Sequence, residues 1–225
     1  MLDMLLAGGW WMAPIMLASV VALGIILERS WGLRRSRVLP SGVVEDIEQL
    51  VQRRELTAEN LRAIGRQSPL GRVLGAGLAP YAISREEMKA RIEDAGRHVA
   101  HELECCLTTL GTIAVISPLL GLLGTVVGMI MTFDVITTQG LGQPADLAGG
   151  ISTALLTTAA GLIVAVPTVI AHRAFRAQVD RLVIEMEREA MRLLDGLFAS
   201  EARAVPRDAG RVQAASQARP QVMPQ

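Results

Sequence analysis

Four of the threonines inside the long apolar stretches of this sequence are candidates for a functional role: Thr125, Thr153, Thr157 and Thr158. A hydroxyl donates one hydrogen bond and accepts two, so a group of them can hold water or bind the carboxyl group of a partner. The same hydroxyl can instead bond back to a carbonyl of its own helix, which is the ordinary arrangement for threonine in an apolar helix. The threonines therefore offer a polar pore lining, and the residue types alone leave both interpretations open.

Small residues accompany these threonines. Gly121, Gly124 and Gly128 recur at steps of three and four, so they share one face of a helix, and Gly161 follows the threonines of the next apolar stretch. Glycines in such a stripe let the backbone of a second helix approach closely. We therefore predict that these four glycines serve helix packing beside the threonines.

Three apolar stretches, Met4–Leu27, Cys105–Phe133 and Leu147–Ala171, contain no Asp, Glu, Lys, Arg or His. Ion paths through a bilayer usually carry an ionisable side chain that faces the interior of the helix bundle. If this chain conducts protons, the group that titrates must therefore belong to a second polypeptide.

The three stretches define the fold class. The 225 residues are 51% apolar and only 3% aromatic, and each stretch is long enough to cross a bilayer, which takes roughly 20 helical residues. We predict an all-α membrane protein with three transmembrane helices. The formal net charge is zero, so no basic surface for nucleic acid is expected. No nucleotide-binding or catalytic motif is present, and neither an enzymatic activity nor a cofactor is predicted.

The basic residues indicate the orientation. Thirteen Lys and Arg residues lie between Arg29 and Arg97, nine lie between Arg173 and Arg219, and none lies elsewhere. The positive-inside rule therefore places residues 28–104 and the C-terminal segment in the cytoplasm, and the N-terminus on the other side. Because the first apolar stretch is followed, and not preceded, by arginines, we expect a retained membrane helix instead of a cleaved signal peptide.

Helices two and three are predicted to extend into the cytoplasm. A capping box begins at Ser84, and no helix breaker follows for many residues, so we predict one helix from Arg85 to near Phe133. After Ala171, apolar residues continue at steps of three and four, which predicts an amphipathic extension of the third helix. Shorter helices are expected over Val43–Leu56 and from Pro69 after Ser68.

The complete predicted map is the N-terminus with the first transmembrane helix (1–27), a cytoplasmic helical region (28–104), the second transmembrane helix (105–133), a periplasmic loop (134–146), the third transmembrane helix (147–171), a cytoplasmic amphipathic helix (172–201) and a disordered tail (202–225).

Two further groups of residues, the cysteines and two of the histidines, are weaker candidates for a functional site. Cys105 and Cys106 are adjacent and lie on the predicted cytoplasmic side, where a structural disulfide is not expected. His98 and His101 are three residues apart with glutamates nearby, but a solvated helix face explains them better than a metal site does. No metal ligand set is predicted.

Two runs of sequence resemble a known family. Residues 117–133, SPLLGLLGTVVGMIMTF, are similar to the second-span motif of the MotA/TolQ/ExbB proton channel family, and residues 150–167, GISTALLTTAAGLIVAVP, to its third-span motif. MotA itself has four spans, so the ExbB and TolQ members resemble this chain better. The resemblance implies a homo-oligomeric ring, a pentamer in the family's pattern, in the bacterial inner membrane. It also implies an ExbD/TolR-like single-span partner that supplies an aspartate, and a TonB/TolA-like protein that proton flow energises.

The resemblance also implies roles for residues. Thr125 and Thr158 match the pore threonines of spans two and three, whereas Thr153 stands where other members carry a glutamate. The expected function is transport driven by the proton-motive force, with an envelope-integrity role of the TolQ type as the alternative. Two other classes stay open at this point: a non-conducting membrane scaffold, and a secondary transporter. The lack of an intramembrane charge or of a pair of broken helices disfavours the transporter.

Overall fold

Apolar helices of membrane length dominate the architecture, as expected for apolar segments whose backbone N–H and C=O groups must be paired within the segment when it crosses a bilayer. The computed structural model describes residues 10–53, 55–79, 84–140 and 144–204. Within these ranges all regular structure is helical and no strand occurs. The eight helices described are α1 (Met12–Gly32), α2 (Arg35–Val38), α3 (Val43–Gln52), α4 (Ala58–Gln67), α5 (Pro69–Gly77), α6 (Arg85–Leu103), α7 (Leu107–Gln139) and α8 (Pro144–Ala204).

Three helical stretches among the described residues are long and apolar enough to cross a membrane: α1, the stretch that comprises α6 and α7, and α8. The predicted fold class, all-α with three transmembrane helices, is therefore confirmed. The first span was predicted from Met4 to Leu27. Its first residues lie outside the described ranges, and its helix continues to Gly32.

The predicted single helix from Arg85 to Phe133 is wrong in two respects. Residues 104–106 interrupt it, because Cys106 adopts a left-handed backbone conformation with φ = 64°. The free carbonyl of Leu103 at the end of α6 accepts a hydrogen bond from Nη1 of Arg29 (3.3 Å), whose side chain is largely buried. At the other end α7 continues to Gln139, since no proline or glycine lies between Phe133 and Gly140, whose φ is 72°. The predicted loop 134–146 is correspondingly shorter.

The chain forms two compact units, the described parts of residues 1–40 and 96–185, and those of residues 41–95 and 186–225. In the first unit α1 packs on α7. Phe175, Val179 and Leu182 of α8 are buried there, as the predicted amphipathic stripe requires. Nε2 of Gln178 donates to the carbonyl of Leu33 at 2.7 Å.

The second unit contains a tight pair of helices, α4 and α5. Each begins at a hydroxyl cap: the amide of Asn60 donates to Oγ1 of Thr57, and the amide of Gly71 donates to Oγ of Ser68 at 3.0 Å. Pro69 occupies the first turn of α5, as predicted. The predicted cap of α6 is also present, because the amide of Glu87 donates to Oγ of Ser84 at 3.1 Å.

The C-terminal prediction lies partly beyond what is described. Residues 202–204, assigned to the disordered tail, are the last residues of α8. Residues 205–225 lie outside the described ranges.

Candidate functional site: the seam between α7 and α8

The candidate site is a line of small and hydroxylated residues where α7 and α8 meet, here called the seam. Its residues recur at steps of three and four on each helix, so they form one continuous face on each. On α7 they are Ser117, Gly121, Gly124, Gly128 and Thr132, and on α8 they are Gly150, Ala154, Thr157, Thr158 and Gly161.

The glycines bring the two backbones into close contact. A Cβ added to Gly161 would lie 2.6 Å from the carbonyl oxygen of Ser117, and one added to Gly121 would lie 3.0 Å from the Cα of Thr158. A Cβ on Gly128 would lie 2.9 Å from the Cβ of Ala154. Such distances leave no room for a side chain, so the helices can adopt this separation only with glycine at these positions.

Thr157 is buried inside the seam. Only 1% of its surface is exposed, its side chain lies against Gly124, and its hydroxyl donates to the carbonyl of Ala154 at 2.8 Å. A side chain that is already buried within one subunit cannot face a pore that several subunits enclose. We therefore assign Thr157 to helix packing and omit it from the proposed lining.

Thr158 connects the two helices. Its Oγ1 donates to the backbone carbonyl of Gly121 at 3.0 Å, across 37 residues of sequence, and the residue is half-buried. The hydroxyl hydrogen is committed to this bond, so the oxygen lone pairs remain available as acceptors. Thr158 can therefore accept a hydrogen bond from a donor group of another molecule.

Thr125 and Thr153 are also half-buried. Oγ1 of Thr125 donates to the carbonyl of Leu122 on its own helix at 2.6 Å, and its lone pairs likewise remain as acceptors. The carbonyl of Thr153 lies 3.2 Å from Oγ1 of Thr157. Both residues leave part of their surface exposed, as a lining position requires.

Four seam residues were not among the predicted site residues: Ser117, Thr132, Gly150 and Ala154. The hydroxyls of Ser117 and Thr132 are buried and donate to carbonyls of their own helix at 2.8 Å. Gly150 lies against Thr132. The spacing in the sequence could have identified Gly150, since steps of four and three from Gly150 reach Ala154, Thr157 and Gly161.

A cavity of about 520 Å³ lies beside the N-terminal half of α7, and His172 packs there against Gly111. Its polar lining residues are Glu104, Thr108, Thr112, His172 and Arg176. These ionisable groups lie at the end of the apolar segments, so the seam itself contains hydroxyls and backbone but no acid or base.

No group of three or more His, Cys, Asp and Glu side chains suited to a metal ion occurs in the ranges that the structure describes. His98 and His101 both lie on the exposed side of α6. Cys105 and Cys106 are free thiols with their sulfur atoms 3.5 Å apart.

Comparison with known proteins identifies the family. The profile described as the MotA/TolQ/ExbB proton channel family matches residues 45–188. The chain is 36% identical over 199 residues to the ExbB-like 1 biopolymer transport protein of Synechocystis, covering 85% of this chain and 73% of the relative. It is 32% identical over 181 residues to the biopolymer transport protein exbB1 of Vibrio cholerae, covering 77% and 78% respectively.

A TolQ protein is also similar. The Tol-Pal system protein TolQ of Pseudomonas aeruginosa is 39% identical over 102 residues, which is 45% of this chain and 38% of the relative. The matched residues 45–188 include the whole seam, and the three apolar helices agree with a membrane subunit of the ExbB/TolQ type. The chain belongs to the MotA/TolQ/ExbB proton channel family.

Proposed function

We propose that this chain is the ring-forming subunit of an inner-membrane motor driven by the proton-motive force. In this proposal five copies surround the single membrane helices of an ExbD/TolR-like partner, and proton flow past the partner's aspartate energises a TonB/TolA-like protein for transport at the outer membrane. The family and the ExbB relatives support this proposal. A TolQ-type role in envelope integrity has support from the similarity to TolQ.

The observation that carries the proposal is a seam with acceptor oxygens but no titratable group. Asp, Glu, Lys, Arg and His are absent from all three apolar stretches, so no residue of these spans can bind and release a proton at neutral pH. A partner must supply that group. The half-buried Thr125 and Thr158 offer hydroxyl oxygens at the depth where such a group would pass.

The hydrogen-bond geometry favours one protonation state of the partner's acid. Because Thr158 donates its hydrogen to Gly121, its oxygen can accept from a protonated carboxylic acid but has no hydrogen left for a carboxylate. Hydrogen bonding to the neutral form raises the pKa of an acid, and so does an apolar environment. The seam therefore stabilises the neutral acid while it crosses the apolar zone, which a bare carboxylate would enter only at high cost.

The proposed orientation follows from the distribution of basic residues. With residues 28–104 and the C-terminal segment in the cytoplasm, every Lys and Arg lies on the cytoplasmic side. The short connection between α7 and α8 then lies in the periplasm, and protons enter the seam from that end.

Reconstitution tests the proposal. The purified chain is placed in liposomes alone, with a single-span ExbD/TolR-like partner, and with the Asp→Asn form of that partner, and proton uptake is followed with an internal pH dye under an imposed potential. Flux is expected with the intact partner only. Rapid flux through the chain alone, or equal flux with the Asp→Asn partner, would overturn the proposal.

A non-conducting scaffold is the second candidate, because Thr157 and the seam glycines show that much of this polar stripe serves packing. The same assay separates the two candidates. A scaffold predicts that the chain binds the partner and no preparation conducts.

A further inference from the structure

Helices α3 to α5 carry two surfaces of opposite charge. On α3, Glu45 and Glu48 are exposed and do not line the cleft that faces α4, and α3 has no basic residue. We call Glu45 and Glu48 the acidic face. The buried residues of this helix, Val43 and Ile47, lie on a different side of the helix from the acidic face. Because that apolar side packs inward, the acidic face points outward.

The second surface is a groove between α4 and α5 of about 460 Å³, here called the arginine groove. Arg62, Arg66 and Arg72 line it together with Leu61 and small residues, and no carboxylate is among its described lining residues. Arg72 also has an interaction partner of its own within the chain. All three arginines are exposed. The carboxylate of α4, Glu59, is not part of the lining.

The groove has a rigid base. Gly71 lies directly against the backbone of Ile64, and a Cβ on Gly75 would lie 3.1 Å from the carbonyl oxygen of Leu61. Both helices also begin at hydroxyl caps. The glycine contacts therefore fix the distance between the two helices that carry the arginines. This rigidity favours a specific surface over a diffuse basic patch.

The two charged surfaces lie on opposite sides of α4. Asn60, Ala63 and Ile64 line a smaller cleft toward α3, together with Asp46, Gln49, Leu50 and Arg53. Ala58, Arg62 and Gly65 line the arginine groove. At 3.6 residues per turn these two sets of α4 residues project in roughly opposite directions. The acidic face and the arginine groove are therefore separated by α4 within one chain.

Complementary surfaces on opposite sides of a subunit suit a head-to-tail contact. Such contacts repeat around a closed ring, whereas a two-fold dimer pairs a surface with itself. We propose that the arginine groove of each subunit binds the acidic face of its neighbour, an inference that rests on the ring of the proposed function. The occupant is thus a second copy of this chain.

Charge exchange tests the contact. Three full-length variants are purified in detergent: R62E/R66E, E45R/E48R, and the combination of all four changes. Their subunit number is measured by native mass spectrometry across a range of salt concentrations. Both double variants are expected to reduce the fraction of complete rings about tenfold at low salt, because like charges then meet at every contact. The combined variant is expected to recover the wild-type fraction. A matched control, R181E/R188E, makes the same change in charge on exposed positions of α8 and is expected to assemble normally.

The outcomes separate this inference from the proposed function. Normal rings from both double variants, or no recovery in the combined variant, would overturn the contact while leaving a conducting ring intact. Reduced binding to anionic liposomes with unchanged rings would assign the arginines to lipid and also overturn it. If the wild-type chain forms no ring at any salt concentration, the proposed function fails first.

Discussion

At the scale of single residues, the hydroxyl of Thr158 connects two helices and, in the proposed motor, also serves transport. Its hydrogen holds α8 to the carbonyl of Gly121, and its lone pairs are left for a partner. The hydroxyl of Thr125 donates to a carbonyl of its own helix, so Thr125 offers acceptor lone pairs but does not connect α7 to α8. The two threonines that the family resemblance selects are therefore not equivalent in this chain.

This difference predicts different consequences of removing each hydroxyl. Thr158→Val should lower the free energy of unfolding by about 0.6–2 kcal/mol, the range for hydrogen bonds between membrane helices. Thr125→Val should lower it less, since the bond it loses lies within one helix. Unfolding by SDS, followed by circular dichroism, measures both. Proton flux with the partner should fall in both valine variants, and Thr158→Ser should retain it. Equal stability of the two valine variants would contradict the role of the Thr158 bond.

The seam glycines allow a matched pair of substitutions in α8. Gly161→Ala places a Cβ 2.6 Å from the carbonyl oxygen of Ser117, whereas a Cβ at Gly149 meets nothing within 4 Å. Gly161→Ala should therefore lower the free energy of unfolding by about 1–3 kcal/mol, as overpacking does. Gly149→Ala should leave it unchanged or raise it, because alanine favours a helix. The same SDS titration compares them, and similar losses in both would argue against the close backbone contact.

Much of the seam was predictable from residue types and spacing. The steps of three and four among Gly121, Gly124 and Gly128 identified the contact face, since helical periodicity is a local property. The pairing of Thr158 with Gly121 and the burial of Thr157 were not predictable. Both depend on the register of α8 against α7, which is decided by packing between residues far apart in sequence.

At the scale of elements, the interruption between α6 and α7 departs most from the predicted architecture. Where a helix ends at a residue in the left-handed conformation, that residue is usually glycine and sometimes asparagine, and residues 104–106 contain neither. Cys106 adopts it instead, and Arg29 satisfies the carbonyl that the interruption leaves free. By contrast, the caps at Ser68 and Ser84 were correctly predicted, because a cap depends on only three or four consecutive residues.

The left-handed conformation of Cys106 leads to a further testable prediction. Cys106→Gly should raise the free energy of unfolding by about 1 kcal/mol, because glycine removes the steric penalty that a side chain suffers at positive φ. Cys105→Gly is the matched control and should bring no gain, since Cys105 does not have a positive φ. Thermal unfolding of the two variants in detergent gives the comparison. An uninterrupted helix through residue 106 would instead make Cys106→Gly destabilising.

At the scale of the whole molecule, the distribution of basic residues predicts a topology that labelling can measure. In a variant with both native cysteines replaced by serine, Thr138→Cys at the end of α7 should react with a membrane-impermeant maleimide in cells whose outer membrane is permeabilised. Ser84→Cys should react only after the inner membrane is disrupted. Both positions are exposed, so reactivity reports the side of the membrane. The opposite pattern would reverse the orientation of all three spans.

The uncharged spans have one practical consequence for spectroscopy of an assembled motor. Protonated carboxylic acids absorb in a region of the infrared spectrum where few other protein groups do, and the apolar stretches of this subunit contribute no such oscillator. In the proposed motor, a difference band from a buried acid would therefore report on the partner's aspartate without a background from the apolar stretches of the surrounding chains.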